Sequence, residues 1–291
     1  MHARNSILRV VVCASVLCAL AVPAMADWDP GNVHKMHFPQ LPDHDGWDVA
    51  WHSEGGEPIQ LADDWTCSQT GPVSDVHFWL SAKGDEYANG DPFDGNINVF
   101  SSLTIQIWSN DPNGPNGYSI PKDFLWGWNW YPGEPGNVTM REYAQGDQGW
   151  HDPSADPPDN FVASDHQKIW QINITEMADH SGQPFEQQEG EVYWLKIDMN
   201  MDNDPPPYGD GSQDVLLGWK TADLDAYPAP HTGNHYMDDA VFYNEFTHQW
   251  EELVDDQGYS MDLAFVITPE PATLSLLALG GLAMMRRRRK G

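Results

Sequence analysis

The feature that most constrains this chain is a two-residue rhythm of apolar side chains, repeated in short segments with Pro, Gly, Asn and Asp clusters between them. Leu103, Ile105 and Ile107 alternate with Thr104, Gln106 and Trp108. Tyr193, Leu195, Ile197 and Met199 likewise oppose Val192, Trp194, Lys196 and Asp198. Successive side chains of an extended strand point to opposite faces, so this rhythm marks half-buried strands. The clearest candidates are Val73–Ser81, Leu103–Ser109, Lys168–Thr175, Glu191–Met199, Asp214–Lys220, Ala240–Asn244 and Met261–Ile267. No long stretch has helical period. Seven or more strands joined by turn-rich loops predict an all-β fold: an antiparallel β-sandwich, jelly-roll-like, in a single domain. The acidic segments Gly84–Asn98, Asp111–Tyr118, Trp130–Asn137, Gly146–Asn160 and Met201–Gly211 read as its loops.

The ends follow different rules. Arg4 and Arg9 precede an apolar run from Val10 to Val22, and Ala24-Met25-Ala26 then meets Asp27. A charged start, an apolar stretch too short to span a bilayer and small residues at both recognition positions predict a signal helix over residues 1–26, cut between Ala26 and Asp27 by signal peptidase. Cys13 and Cys18 leave with it. Their neighbours Val12 and Leu17 lack the small residue expected before a lipidated cysteine.

At the other end Pro269-Glu270-Pro271 is followed by an apolar run from Ala272 to Met285, then Arg286, Arg287, Arg288, Arg289 and Lys290. At about 1.5 Å per residue the run reaches roughly 21 Å as a helix, short of the ~30 Å hydrocarbon core. The basic cluster resists crossing, which leaves it cytoplasmic and places the chain before Pro269 outside. This order of elements resembles the PEP-CTERM sorting signal. The resemblance implies recognition by an exosortase-type membrane protease, cleavage near Pro-Glu-Pro, and a hydrophobic sorting helix over residues 269–291 that anchors the chain in the inner membrane only transiently.

Between the two signals, residues 27–268 hold seven Lys and Arg against forty-three Asp and Glu, a formal charge of −36. Nucleic acid and anionic lipid surfaces reward clustered Lys and Arg, so both are excluded as direct partners. Cys67 is the one cysteine of this span, so burial rather than a disulfide must stabilise it. Nothing basic lies near it in sequence to activate the thiol.

Leu61-Ala62-Asp63-Asp64-Trp65-Thr66-Cys67 and Gly71-Pro72-Val73-Ser74-Asp75-Val76 open a second likeness, which covers nearly all of residues 27–268. Gly149-Trp150-His151-Asp152-Pro153, Glu189–Leu195, Gly218-Trp219-Lys220-Thr221, Asp238-Asp239-Ala240-Val241 and Asp262–Ile267 continue it. Together they resemble a family of uncharacterised secreted bacterial domains, often joined to such a tail. The resemblance implies export and carries no activity.

Candidate chemistry is sparse. Neither G-x-S-x-G nor H-E-x-x-H is present, and with so many carboxylates a glycosidase pair cannot be singled out. Asp202, Asp204 and Asp210, or Asp85, Asp91, Asp94 and Asn96, could offer oxygens to calcium; neither set meets a known ligand spacing, and a solvated acidic loop is the simpler reading. His34 with His37, and His231 with His235, lack a complete transition-metal set. Trp126, Trp128 and Trp130 alternate, so in a strand their indoles share one face, either as a platform for sugar rings or as core. The sequon-like Asn137-Val138-Thr139 and Asn173-Ile174-Thr175 carry little weight beside a bacterial sorting tail. The expectation is therefore an exported envelope or extracellular-matrix protein, non-catalytic and without a cofactor. The alternatives are a carbohydrate-binding module, calcium-assisted or not, and an extracellular polysaccharide hydrolase.

Overall fold

The computed structural model describes residues 27–53, 57–85, 93–94, 97, 100–132, 138–157, 160–201, 215–223 and 239–268. The two segments expected to be helical, 1–26 and 269–291, lie outside the described residues, and among those described no α-helix occurs. The described residues form fourteen strands: β1 (Trp47–Ala50), β2 (Leu61–Thr66), β3 (Gly71–Val73), β4 (Asp75–Ala82), β5 (Phe100–Asp111), β6 (Ile120–Trp130), β7 (Val138–His151), β8 (Phe161–Ile174), β9 (Phe185–Gln187), β10 (Val192–Met201), β11 (Leu217–Lys220), β12 (Val241–Asn244), β13 (Gln249–Glu252) and β14 (Phe265–Thr268). Each of the seven segments singled out by its apolar rhythm contains a strand. Asp214–Lys220 is strand from Leu217 and Met261–Ile267 from Phe265, Val73 belongs to β3 rather than β4, and Asp214 lies outside the described residues.

The first sheet runs β11-β1-β7-β8-β4-β14, and β11 also pairs with β4. Five strands thus close on themselves, β4-β11-β1-β7-β8 and back to β4, as a partial barrel. This is possible because β4 divides one edge between two neighbours: Asp75–Phe78 pair with β14, and Leu80–Ala82 pair with β11. The second sheet, β13-β12-β2-β10-β5-β6, stays open, and β3 with β9 forms a small ribbon. One pairing corrects the antiparallel expectation. β1 runs parallel to β7, with Asp48 opposite Trp150.

The main core lies where the sheets face each other. The second sheet contributes Leu61, Leu103, Ile105, Ile107, Leu195 and Ile197; the first contributes Phe78, Trp219 and Phe265, and Trp51 follows β1. Trp51 stacks on Trp219 at 6.0 Å, and its indole N–H donates to the Ile197 carbonyl at 2.8 Å, tying one sheet to the other. A buried indole loses its water partner, so this bond spares the core an unsatisfied donor. The segment read as a loop from Gly146 to Asn160 is strand as far as His151. Its polar residues belong to a hairpin of two 14-residue strands, β7 and β8.

Candidate functional site

Alternation gives the closed strands of the first sheet an inner face, opposite the one that carries Phe78, Trp219 and Phe265. On β11 Trp219 points into that core, so Lys220 and Gly218 point the other way. Register places Lys220 opposite Asp48, Gly218 opposite Ser81, and Gln148 opposite His166. Each of the five strands therefore sends one polar side chain to the same interior: Lys220 from β11, Asp48 from β1, Gln148 from β7, His166 from β8 and Ser81 from β4. All five residues are at most 2 % exposed.

At its centre Asp48 Oδ2 accepts from His166 Nε2 at 2.9 Å and from Lys220 Nζ at 3.1 Å. The other ring nitrogen of His166 meets Asp165 Oδ2 at 3.0 Å, and Lys220 also donates to the Trp47 carbonyl at 3.1 Å. Ser81 Oγ donates to Gln148 Oε1 at 3.2 Å. Burial alone would push the His166 imidazole towards neutrality, but Asp48 and Asp165 outweigh it and raise its pKa to about 9. Burial works against the Asp48 carboxylate as well, and Lys220 with His166 overcomes it and holds the group below the ordinary carboxylate range. For Lys220 burial prevails and lowers its pKa despite Asp48. Two acids and two bases thus balance in a closed network. The side chains of Asp48, His166 and Lys220 are fully covered, and the cluster bonds β1 to β8 and β11.

A second polar tier occupies the same face further along β4, β7 and β8. His77 Nδ1 donates to Asn173 Oδ1 at 2.7 Å, and Arg141 Nε donates to Gln171 Oε1 at 2.6 Å. Trp28 caps this tier edge-on to Trp79, their rings 6.2 Å apart. Burial lowers the pKa of His77 to about 4 and that of His151 likewise to about 4.

A third buried group joins the sheets. Both oxygens of Asp63 on β2 are bonded, Oδ1 to the Asp64 N–H at 2.6 Å and Oδ2 to the Leu263 N–H at 2.6 Å and to Gln40 Nε2 at 3.3 Å. Burial, with Asp262 and Asp64 close by, raises its pKa well above the usual carboxylate range.

The residues expected to form a site are scattered. Trp126 and Trp130 are buried at 6 % and 5 % exposure, and Trp128 is half-buried against the same core. The shared face of this row is thus the inner face of the second sheet, and an open platform for sugars is not formed there. Trp108, opposite its aliphatic neighbours, lies on the outer face. Asp202, Asp204, Asp210, Asp91, Asn96, His231 and His235 lie outside the described residues, as do Ala24, Ala26, Pro269, Glu270, Pro271 and Arg286 to Arg289. Asp85 bonds the middle of β8, accepting from the Gln167 and Lys168 N–H groups at 2.8 and 3.0 Å. His34 bonds the Met36 carbonyl, and His37 Nδ1 accepts from the Thr66 N–H. Among the described residues no group of three His, Cys, Asp or Glu is placed to hold a metal ion. The Cys67 thiol is buried, which raises its pKa, and it donates to the Gln69 carbonyl at 3.2 Å. Asp48, His166 and Lys220 were not singled out in the sequence. The usable signal was the scarcity of cations: of seven Lys and Arg in the body, Lys220 ends an otherwise buried strand.

The family model of a domain of unknown function, DUF7901, matches residues 36–268, and that of the PEP-CTERM protein-sorting motif matches residues 268–290. The chain belongs to the DUF7901 family. The matched DUF7901 span begins at Met36, within the strand-like segment beside β14, and ends with β14 itself. It takes in Asp48, Asp63, His166 and Lys220, so all the central buried polar groups are parts of the DUF7901 domain. Residues Asp27–Asp29 fall outside the DUF7901 match while bonding to strands within it. The sorting motif implies processing by exosortase, and it marks the chain as exported and associated with the cell envelope. Neither a curated protein nor a solved structure matches the chain.

Proposed function

We propose that the body formed by residues 27–268 is a non-catalytic component of the cell envelope or extracellular matrix, delivered by signal peptidase at one end and exosortase at the other. The observation that carries this reading is the sorting motif starting where the last strand, β14, stops. The burial of the Asp48–His166–Lys220 network supports the non-catalytic part, since the strongest charge constellation of the described body is committed to holding strands. The apolar run Ala272–Met285 acts as a transient inner-membrane anchor, with Arg286 to Arg289 on the cytoplasmic side.

Fractionation of cells that carry an exosortase tests this reading. The native chain is expected as a shortened species outside the inner membrane, beginning at Asp27. Replacing Pro269, Glu270 and Pro271 by alanine is expected to leave a longer species in the membrane fraction. An uncut chain dissolved in the cytosol refutes the proposal.

A second reading, glycan binding, is favoured by a different set of aromatics from the one the sequence suggested. On the outer face of the second sheet Trp108 stands opposite Phe124 and Trp194, and Phe124, 55 % exposed, meets Trp108 edge-on at 5.7 Å. Tyr243 and Trp250 pair at 5.4 Å on the far side of the same sheet. Aromatic faces bordered by Gln106, Thr104 and Asn129 suit a neutral polysaccharide, and the charge of −36 disfavours a polyanionic one. Binding lost in Phe124→Ala and Trp108→Ala would support this reading; a body silent on every neutral glycan of an array would remove it.

A further inference from the structure

The first three residues of the body are bound along their whole length. Trp28 is 3 % exposed, its N–H donates to Asn173 Oδ1 at 3.4 Å, and its carbonyl accepts from Gln171 Nε2 at 2.8 Å and Arg141 Nη2 at 2.9 Å. Asp27 Oδ1 accepts from Asn173 Nδ2 at 3.1 Å, and Asp29 Oδ1 accepts from Arg141 Nη2 at 2.5 Å. Termini are usually poorly ordered unless tied down, and here side chains from two strands do the tying.

The residue that orients Asn173 also holds the other end of the body. His77 gives one ring nitrogen to Asn173 Oδ1 and the other to Thr268 Oγ1 at 3.2 Å. With Nδ1 donating to Asn173, Nε2 accepts from the Thr268 hydroxyl, which suits a neutral imidazole. Thr268 is the last residue of β14, and Pro269 of the sorting motif follows it directly. The segment after Asp29 continues the clasp: the Lys35 N–H donates to the Ile267 carbonyl at 2.8 Å and the Gln40 N–H to the Phe265 carbonyl at 3.2 Å, on the side of β14 away from β4.

We infer that Asp27-Trp28-Asp29, the residues that leader removal turns into the N-terminus, form a latch in a dedicated site of His77, Asn173, Gln171 and Arg141, and that this latch secures the strand leading into the sorting motif. The two ends made by processing are thereby held to one another through the His77–Asn173 pair, without a covalent link. The inference rests on the export reading above for the identity of the N-terminus; its geometry stands apart from that reading.

The test uses the full chain, exported and processed in its host, with Trp28→Ala and the milder Asp29→Ala beside the native sequence. Hydrogen exchange is followed at the amides of Val266–Thr268 and at Ile105–Ile107 and Leu195–Ile197 in the second sheet. The latch predicts exchange about tenfold faster in β14 for Trp28→Ala, a smaller rise for Asp29→Ala, and rates within about twofold of native in the second sheet, because local opening is confined to the unit that loses its support. Unchanged exchange in β14 in both variants, or an equal rise in both sheets, overturns the latch. Mass measurement of the exported chain is independent: a body beginning elsewhere than Asp27 overturns the maturation part whatever the exchange shows.

Discussion

Removing the Asp48 carboxylate would leave Lys220 and His166 buried beside each other with their shared anion gone. Breaking a buried pair from one side costs about 3–5 kcal/mol, because the remaining charge has no water to turn to. Asp48→Ala is therefore expected to lose that much in urea unfolding, and Asp48→Asn less, since the amide oxygen still accepts. The histidines give a pH signature as well. His166 has its folded pKa raised to about 9, so its contribution is complete below the unfolded value near 6.5 and fades as the pH rises through 9. His77 and His151 are lowered to about 4, so theirs is complete above about 6.5 and fades as the pH falls towards 4. Asp63 acts in the sense of His166, its proton held in the folded state, and favours the acidic side. Stability measured against pH is expected to peak near the unfolded histidine value. Replacing His166 by Gln should flatten the alkaline limb most, with a smaller change on the acid side, where His166 helps hold Asp48 and Asp165 ionised.

Among the elements, β7 runs close against β1 and the residues just before it. A side chain at Gly149 would meet the Trp47 ring, and one at Gly146 would meet the His44 backbone carbonyl. Overpacking of this kind costs about 1–3 kcal/mol or more, so Gly149→Ala is expected to lower the unfolding midpoint and Gly146→Ala to do more damage, because backbone yields less readily than a ring. Among the described residues β6 is the long edge strand of the second sheet, with Lys122, Asp123, Phe124 and Leu125 all exposed. Charges on such an edge discourage pairing with another chain, and Lys122→Val with Asp123→Val should produce dimers or larger species in size-exclusion chromatography.

The same elements show what was legible in the sequence. β5 and β10 have a dry face and a wetter one, and their alternation reveals them. β7 has no such contrast between Arg141 and Gln148, because one side meets solvent and the other a polar interior, so it gave no strand signal and its end from Gly146 read as loop. Alternation also told that Trp126, Trp128 and Trp130 share a face without telling which. Asp48, His166 and Lys220 sit 118 and 172 positions apart, and only the closure of the first sheet brings them together.

For the whole molecule the dominant quantity is a charge of −36 on residues 27–268. Like charges on a compact body repel, and added salt shortens their reach from about 30 Å at 0.01 M to about 8 Å at 0.15 M. The thermal midpoint of the body is thus expected to rise with sodium chloride over that range. A chain with balanced charge would show little change.

The division of the β4 edge between β11 and β14 also sets a clock. The closed strands are completed only by residues near 220, and the neighbouring half of that edge by residues 265–268, so the ring cannot form until β11 has been made. Pairings this distant along a polypeptide form slowly. A newly made chain therefore remains threadable until β11 has appeared, which gives a translocation channel time to draw it through before any barrel can jam the entrance.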